Sequence, residues 1–383
     1  MWISILSDNL AKTLREFGLR NAVLSAGYDD LQAWHGPIAD DFGVLPPAPF
    51  ERSRIYTGDA QTFAYSHVPQ ICKFAGRYVA VWSNAQRDED SAGQQIHYSL
   101  SEDARHWEPY RCLVATDRES GQSRHAAGLC VSAGKLVAYS KTEYRLKANL
   151  RPGIPSFEGT RIDAFVTSDC VDWKEYKDLI SDAWMLEGPK ATRSGRLLCP
   201  GFHNEGMPVA FIWEPDKAWG KPEIIPVPRP EEGARLMEGS WYQTEEGTIT
   251  MLWRDETQSL RLYVAFSDDD GRSWTVPVKT DFPDSMARIN AGRLSDGRYY
   301  IVGNSCPQLL NRKYLMLSLS DDGKVFDEMF ILADGPTHRR IEGRHKEDGY
   351  QYPNTLVEEG RLLVVFSVNK EDIECGIVDA TKL

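Results

Sequence analysis

The stretch that decides the fold runs from Glu246 to Trp274, EGTITMLWRDETQSLRLYVAFSDDDGRSW. It reads as a glycine turn, an apolar strand, a loop, a second apolar strand and a tight turn closed by tryptophan. Gly247 supplies the positive φ that a short hairpin needs and that a Cβ penalises. In the closing turn, Ser267 and Asp269 can bond back to the backbone, Gly271 takes a left-handed position, and Trp274 packs beneath.

The same arrangement recurs along the chain. Glycine hairpins stand at Ala75-Gly76-Arg77-Tyr78, Ala133-Gly134-Lys135-Leu136, Ser194-Gly195-Arg196-Leu197, Glu246-Gly247-Thr248-Ile249, Asp296-Gly297-Arg298-Tyr299 and Glu359-Gly360-Arg361-Leu362, spaced 50 to 63 residues apart. That spacing suits a four-stranded propeller blade with its loops. Strands such as RYYIVGN and RLLVVFSV are β-branched and aromatic, as a buried sheet prefers. The serine–aspartate turn recurs as Ser101-x-Asp103-x-x-x-Trp107, Thr167-x-Asp169-x-x-x-Trp173 and Ser320-x-Asp322-x-x-x-Phe326. The third repeat keeps only Trp219. Hydrogen bonds within the turn account for these acids, which are not read as catalytic.

The expected fold is therefore an all-β propeller of four-stranded blades. After Gly360 only about three strands remain, so the missing outer strand comes from the N-terminal part and closes the ring. Residues 20–60 leave room for a further blade, and seven blades are favoured over six. Residues 7–17 read as a short capped helix outside the ring. The domain reading is a helical extension over 1–20 and a single propeller over 21–383.

Composition narrows the function classes. The chain has 383 residues, 42% hydrophobic and 26% charged, a balance that buries a large core. Its most apolar run, Leu362 to Val368, is far short of the ~20 residues of a membrane helix. The start of the chain shows no basic, apolar leader, and the seven cysteines stand singly without metal-ligand spacing. A cytoplasmic location is expected, unless a leader has been removed. The net charge of −12, with no basic stripe, argues against a nucleic-acid partner. An anionic substrate would need a local cluster of cations.

Fixed steps from each hairpin glycine should meet at one end of the ring. Nine residues before it stand His67, His125, Glu238 and Arg288; eight before it stand Glu187 and Tyr352. Seven or eight after it stand Asn84, Lys141, His203, Arg254 and Asn304. Polar groups converging at a concave centre mark a site. Glu238 and Arg254 can pair and present the guanidinium to a carboxylate, or Glu238 can act as an acid. His67 suits proton transfer near neutral pH. Tyr352 can be a nucleophile, an acid or a wall for a sugar ring.

From about Tyr65 to Asp379 the chain resembles the sialidase-like, Asp-box (BNR repeat) propellers. Tyr65-Ser66-His67-Val68-Pro69, Trp82-Ser83-Asn84 and Asp88-Glu89-Asp90 are similar to propellers that act on rhamnosyl-glucuronate or ulvan linkages, as lyases or as α-L-rhamnosidases. That resemblance implies His67 as the acid/base, and arginine and tyrosine side chains around a uronate carboxylate. Arg288 or Arg254 would neutralise it, with Arg161 and Tyr144 on the longer second repeat. Several of those lyases carry a second histidine where this chain has Gln86 and Arg87, which puts two-histidine elimination in question. Sialidases show three pocket arginines, a tyrosine–glutamate pair and an early acidic aspartate. Here Arg254, Arg288 and Arg312 are the candidates, and no early aspartate stands out.

Together these readings give His67, Tyr144, His125 and Tyr352 as catalytic candidates. Arg87, Lys141, Arg161, His203, Glu238, Arg254, Arg288 and Asn304 are the substrate-binding candidates. No metal ligand is assigned, and Asp88-Glu89-Asp90 reads as a solvated loop rather than a calcium site. No cofactor is required, though the centre of such a ring leaves room for a structural calcium ion. The expected partner is a uronate-containing oligosaccharide or polysaccharide, with no nucleic acid and no membrane. The leading expectation is His-assisted elimination or hydrolysis of a terminal rhamnosyl-type bond next to a uronic acid. An exo-sialidase and a non-catalytic sugar-binding propeller are the alternatives.

Overall fold

The computed structural model describes residues 31–35, 42–146, 157–203, 206–230 and 233–383. Within them each hairpin glycine of the repeat takes a positive φ, from +69° at Gly134 to +102° at Gly297. Each joins the first two strands of an antiparallel sheet, as in Tyr65–Phe74 with Arg77–Ala85 and Leu236–Gln243 with Ile249–Asp255. Six such sheets follow one another, and their innermost strands neighbour each other in order until the sixth meets the first. In the third sheet the inner strand is broken into Ala183–Trp184 and Lys190–Ala191, both on Leu197–His203.

The ring closes as the repeat implies. Phe50–Tyr56 pairs antiparallel with Asp372–Asp379 and completes the last blade, beside Arg361–Val368 and Tyr350–Glu358. This corrects the expectation of seven blades: there are six. The segment taken for an extra blade spends Phe50–Tyr56 on that outer edge. Its preceding residues run along the outside of other blades, through single bridges Leu31 to Thr280, Trp34 to Phe326 and Pro47 to Ile331. The helix expected over 7–17 lies outside the described residues.

Apolar side chains fill the joints between blades. Val79, Leu100, Leu136 and Phe165 occupy the first-to-second joint, and Leu363, Cys375, Trp82 and Tyr78 the joint where the ring closes. Near the axis the strands approach so closely that a Cβ on Gly188 would stand 1.9 Å from the Leu129 carbonyl oxygen. The serine–aspartate turns bond internally: Ser267 Oγ donates to Asp269 and accepts from Gly271 N–H, 2.9 Å each, and Asp269 accepts from Ser273 N–H at 2.8 Å. All seven cysteines are unpaired thiols. Among the described residues no helix is long and apolar enough to cross a membrane.

The closing strand offers a test. An added Cβ at Gly376 would lie 1.9 Å from the ring of Phe50, which is seated over it. Gly376→Ala is expected to cost about 1–3 kcal/mol of stability in urea unfolding, as overpacking does, and Phe50→Ala in the same chain should recover part of it. An unchanged midpoint in the single variant would show that Phe50–Tyr56 does not dock there.

Candidate active site

Inner strands begin, and their hairpin partners end, at the face opposite the glycine hairpins. There the ladders slip by a residue, between His67 and Gln70, Met237 and Ser240, and Gln351 and Asn354. The bulged residues Val68, Glu238 and Tyr352 take φ of 53°, 56° and 55°. Bulges re-aim side chains, and a left-handed residue with a Cβ costs about 1–3 kcal/mol unless its surroundings enforce it. The fold carries that strain at two of the site's most polar side chains.

Tyr352 is the hub. Its hydroxyl donates to Glu238 Oε1 at 2.7 Å and accepts from Arg254 Nη1 at 3.0 Å. Arg254 also pairs with Glu238 Oε2 at 2.6 Å and with Glu256. Burial pushes the Tyr352 hydroxyl well above its usual range, so it is a phenol with a carboxylate poised to take its proton.

His67 lies against this group, its ring centroid 4.1 Å from that of Tyr352. The Ser367 hydroxyl stands 2.8 Å from His67 Nδ1 and 3.3 Å from the Gln351 carbonyl. His67 Nε2 is buried without a hydrogen-bond partner. Burial first, then Lys370, Arg312, Arg288 and Arg254, hold His67 well below its ordinary pKa of 6.5. It is a neutral base.

Four cations thus surround one small volume. Arg312 donates to Ser285 Oγ at 3.1 Å and the Met286 carbonyl at 2.9 Å, and Lys370 pairs with Glu89 at 2.9 Å. Arg288 is fully buried and its three guanidinium nitrogens have no hydrogen-bond partner; burial depresses its pKa. Asp284, beside Arg254 and Arg312, is pushed up to about 6 by burial.

A second group adjoins the first. Glu89 accepts from the Tyr65 hydroxyl at 2.7 Å, and the next residue, Asp90, lies 3.5 Å from His125 Nε2. His125 is 3.1 Å from Glu143, which pairs with Lys141 at 3.0 Å. Burial pushes the Asp90 carboxyl up, whereas Lys141 and His125 hold Glu143 down at about 2.

The model of the BNR repeat-like domain family matches residues 76–365, most of the chain. The chain belongs to the BNR repeat-like domain family. A search of curated proteins returned no match. Solved structures with this propeller include a protein of unknown function from Dyadobacter fermentans, at 17% identity and TM-score 0.68, covering 85% of this chain and 97% of that one. The intramolecular trans-sialidase of Ruminococcus gnavus is similar at 12% identity and TM-score 0.64, covering 86% and 98%. The NanB sialidase of Streptococcus pneumoniae is similar at 13% identity and TM-score 0.61, covering 88% and 71%. At these identities the likeness is one of fold, the sialidase-like propeller. The rhamnosyl-glucuronate branch is not among these likenesses.

In this BNR propeller the fixed steps bring together His67, Glu238, Arg254, Arg288 and Tyr352. His125 and Lys141 stand in the adjoining group. His203 does not join them: half-buried, its Nδ1 bonds the Asp182 carbonyl at 3.0 Å. Asn304 instead pins backbone, donating to the carbonyls of Tyr314 and Tyr350 at 2.7 and 2.9 Å. Tyr144 and Arg161 pair at the edge of the second blade, guanidinium 5.7 Å above the ring, and Arg87 holds the Glu342 carbonyl at 2.7 Å. The Asp88–Asp90 loop is not merely solvated, since Glu89 and Asp90 turn inward. At the axis the Lys190 ammonium gathers Glu187 at 2.9 Å and the carbonyls of Trp241 and Ala291 at 2.6 and 2.9 Å, oxygens that an axial calcium ion would also want. Sequence reasoning missed Glu89, Asp90, Asp284 and Lys370. The first two follow the second strand onto the same face as Asn84, and that was the available signal.

Two outcomes follow from the charges. An unfolded histidine takes up a proton near pH 6.5 while folded His67 does not. Unfolding therefore binds a proton below that value, so stability falls as pH drops through it, and His67→Gln should flatten that limb of the stability curve. An unaltered slope would show that His67 titrates normally. Arg288→Met should raise stability by about 1–2 kcal/mol in urea unfolding, because an unpaired buried cation is removed. A loss of that size would show that the folded chain holds the guanidinium by strong partners.

Proposed function

We propose that this BNR propeller is a glycosidase acting on an acidic glycan, with Tyr352 as nucleophile. The observation that carries the reading is the part-buried Tyr352 hydroxyl held between Glu238 and Arg254. Tyrosine nucleophiles are an established variant of glycoside hydrolysis, and sialidases use one. Arg288, whose guanidinium nitrogens have no hydrogen-bond partner, takes the sugar carboxylate, with Arg254, Arg312 and Lys370 adding positive field. Tyr352 Oη attacks the anomeric carbon as its proton passes to Glu238. Asp90 gives its proton to the leaving oxygen, and the glycosidic C–O bond breaks. Water then attacks the anomeric carbon of the glycosyl–tyrosine, Asp90 takes one of its protons while the other stays on the new sugar hydroxyl, the bond to Tyr352 Oη breaks, and Glu238 returns to that oxygen the proton it took in the first step. The sialidase-like solved structures support the chemistry by analogy of fold only.

A second reading keeps the rhamnosyl–uronate bond. His67, neutral and with its Nε2 unpartnered, is a base beside four cations, the arrangement that removes a proton next to a neutralised uronate carboxylate. Elimination leaves an unsaturated uronate with ultraviolet absorbance; hydrolysis leaves none.

The test is a panel of aryl sialosides, aryl glucuronides and a rhamnosyl-glucuronate disaccharide. Tyr352→Phe is expected to lower kcat on the cleaved member by ~10³-fold, in the range of losing a catalytic proton-transfer group or nucleophile. Full activity in Tyr352→Phe, with loss in His67→Ala and an absorbing product, would replace the first reading by the second. No turnover of any member would remove both.

A further inference from the structure

We infer that Gln94 and His125 are positioning residues that fix the charge facing Asp90, the proton donor of the reaction proposed above and the reading on which this rests. The orientation of the Gln94 amide is settled by backbone. Its oxygen accepts from Asp90 N–H at 3.2 Å, and its nitrogen donates to the Arg124 carbonyl at 3.2 Å. The second amide hydrogen therefore points at His125 Nδ1, 2.7 Å away, which must accept. That leaves the imidazole proton on Nε2. Three acceptors surround it: Glu143 Oε1 and Ser123 Oγ at 3.1 Å, and Asp90 Oδ1 at 3.5 Å. Glu143 is itself fixed. It is fully buried and bound to Lys141, whose ammonium lies 3.3 Å over the ring of Trp184.

Asp90, His125 and Glu143 are also close enough to gather round a metal ion, with their ligand atoms within 4.8 Å of one another. The proton inventory speaks against it. Metal binding through Nε2 would require the proton on Nδ1, where it would meet the Gln94 NH2 group. The Lys141 ammonium already takes Glu143 Oε1. The group is built to handle a proton rather than a cation.

The consequence falls on Asp90. Facing it are His125, Lys141 and Glu143 from the second blade, Glu89 from its own loop, and the Arg344 guanidinium, which bonds the Asp90 carbonyl at 3.1 Å. When Asp90 gives up its proton it becomes an anion beside two other carboxylates. The Nε2–H of His125, shared until then with Glu143 and Ser123, is the neutral donor that steadies it. Because Gln94 offers hydrogens to Nδ1, it opposes a second proton on the ring, and so keeps a full positive charge from forcing Asp90 to ionise early.

The experiment uses Gln94→Glu and His125→Gln in the full chain, with two readouts. Nitrogen NMR should find His125 protonated on Nε2 and bare on Nδ1 in the parent, and protonated on both in Gln94→Glu. The basic limb of kcat/KM against pH should move down by about one unit or more in Gln94→Glu, where His125 gains a charge, and up in His125→Gln, which loses the Nε2–H donor that steadies the Asp90 anion. A parent His125 protonated on Nδ1 overturns the inference whatever the activity. So does an unmoved limb in active Gln94→Glu whose His125 is doubly protonated. Absence of turnover with the expected parent tautomer removes the glycosidase reading and leaves the hydrogen-bond assignment standing.

Discussion

Closure of the ring by one antiparallel pair, Phe50–Tyr56 against Asp372–Asp379, is the constraint on which the site depends. Its polar groups come in pairs from four separate blades. His67 and Glu89 belong to the first blade, Glu238 and Arg254 to the fourth, Arg288 and Arg312 to the fifth, and Tyr352 and Lys370 to the sixth. The first and sixth blades meet only where the ring closes, and there the His67 and Tyr352 rings lie together. Ion pairs reinforce the seam: Arg52 and Arg54 reach Glu374 at 2.6 and 2.8 Å. An open ring would scatter the constellation along an arc.

Within the closed ring, the local field runs against the global one. The chain carries a net charge of −12, yet Arg254, Arg288, Arg312 and Lys370 crowd around one tyrosine and one histidine. Such crowding costs stability, because buried cations lose hydration and repel one another. Glu238, Glu89 and Glu256 offset part of it. Arg288, lacking any hydrogen-bond partner, is the part left over.

How much of this was legible in the sequence depends on what the chain repeats. Blade number was nearly so, because each blade needs one left-handed hairpin glycine, and six stand in the sequence. The surplus blade arose at residues 20–60, where apolar content is visible but the edges that it lines are not. Counting from the glycines found His67, Glu238, Arg254, Arg288 and Tyr352, since antiparallel pairing preserves distance from a turn. It failed at His203, which turns to the Asp182 carbonyl where the third inner strand is broken, and at Asn304, whose amide is taken up by the Tyr314 and Tyr350 carbonyls, because a count of residues does not show which side chains bond backbone. Glu89, Asp90, Asp284 and Lys370 sit on loops, where no period exists to count.

The central claim is that this end of the axis recognises a sugar carboxylate. Calorimetric titration with N-acetylneuraminic acid and glucuronic acid, each beside its methyl ester, tests it most directly. One of the acids should bind, and its ester should bind at least tenfold more weakly, the loss of a charge-assisted contact. Equal binding of acid and ester, or binding of neither acid, would contradict the account.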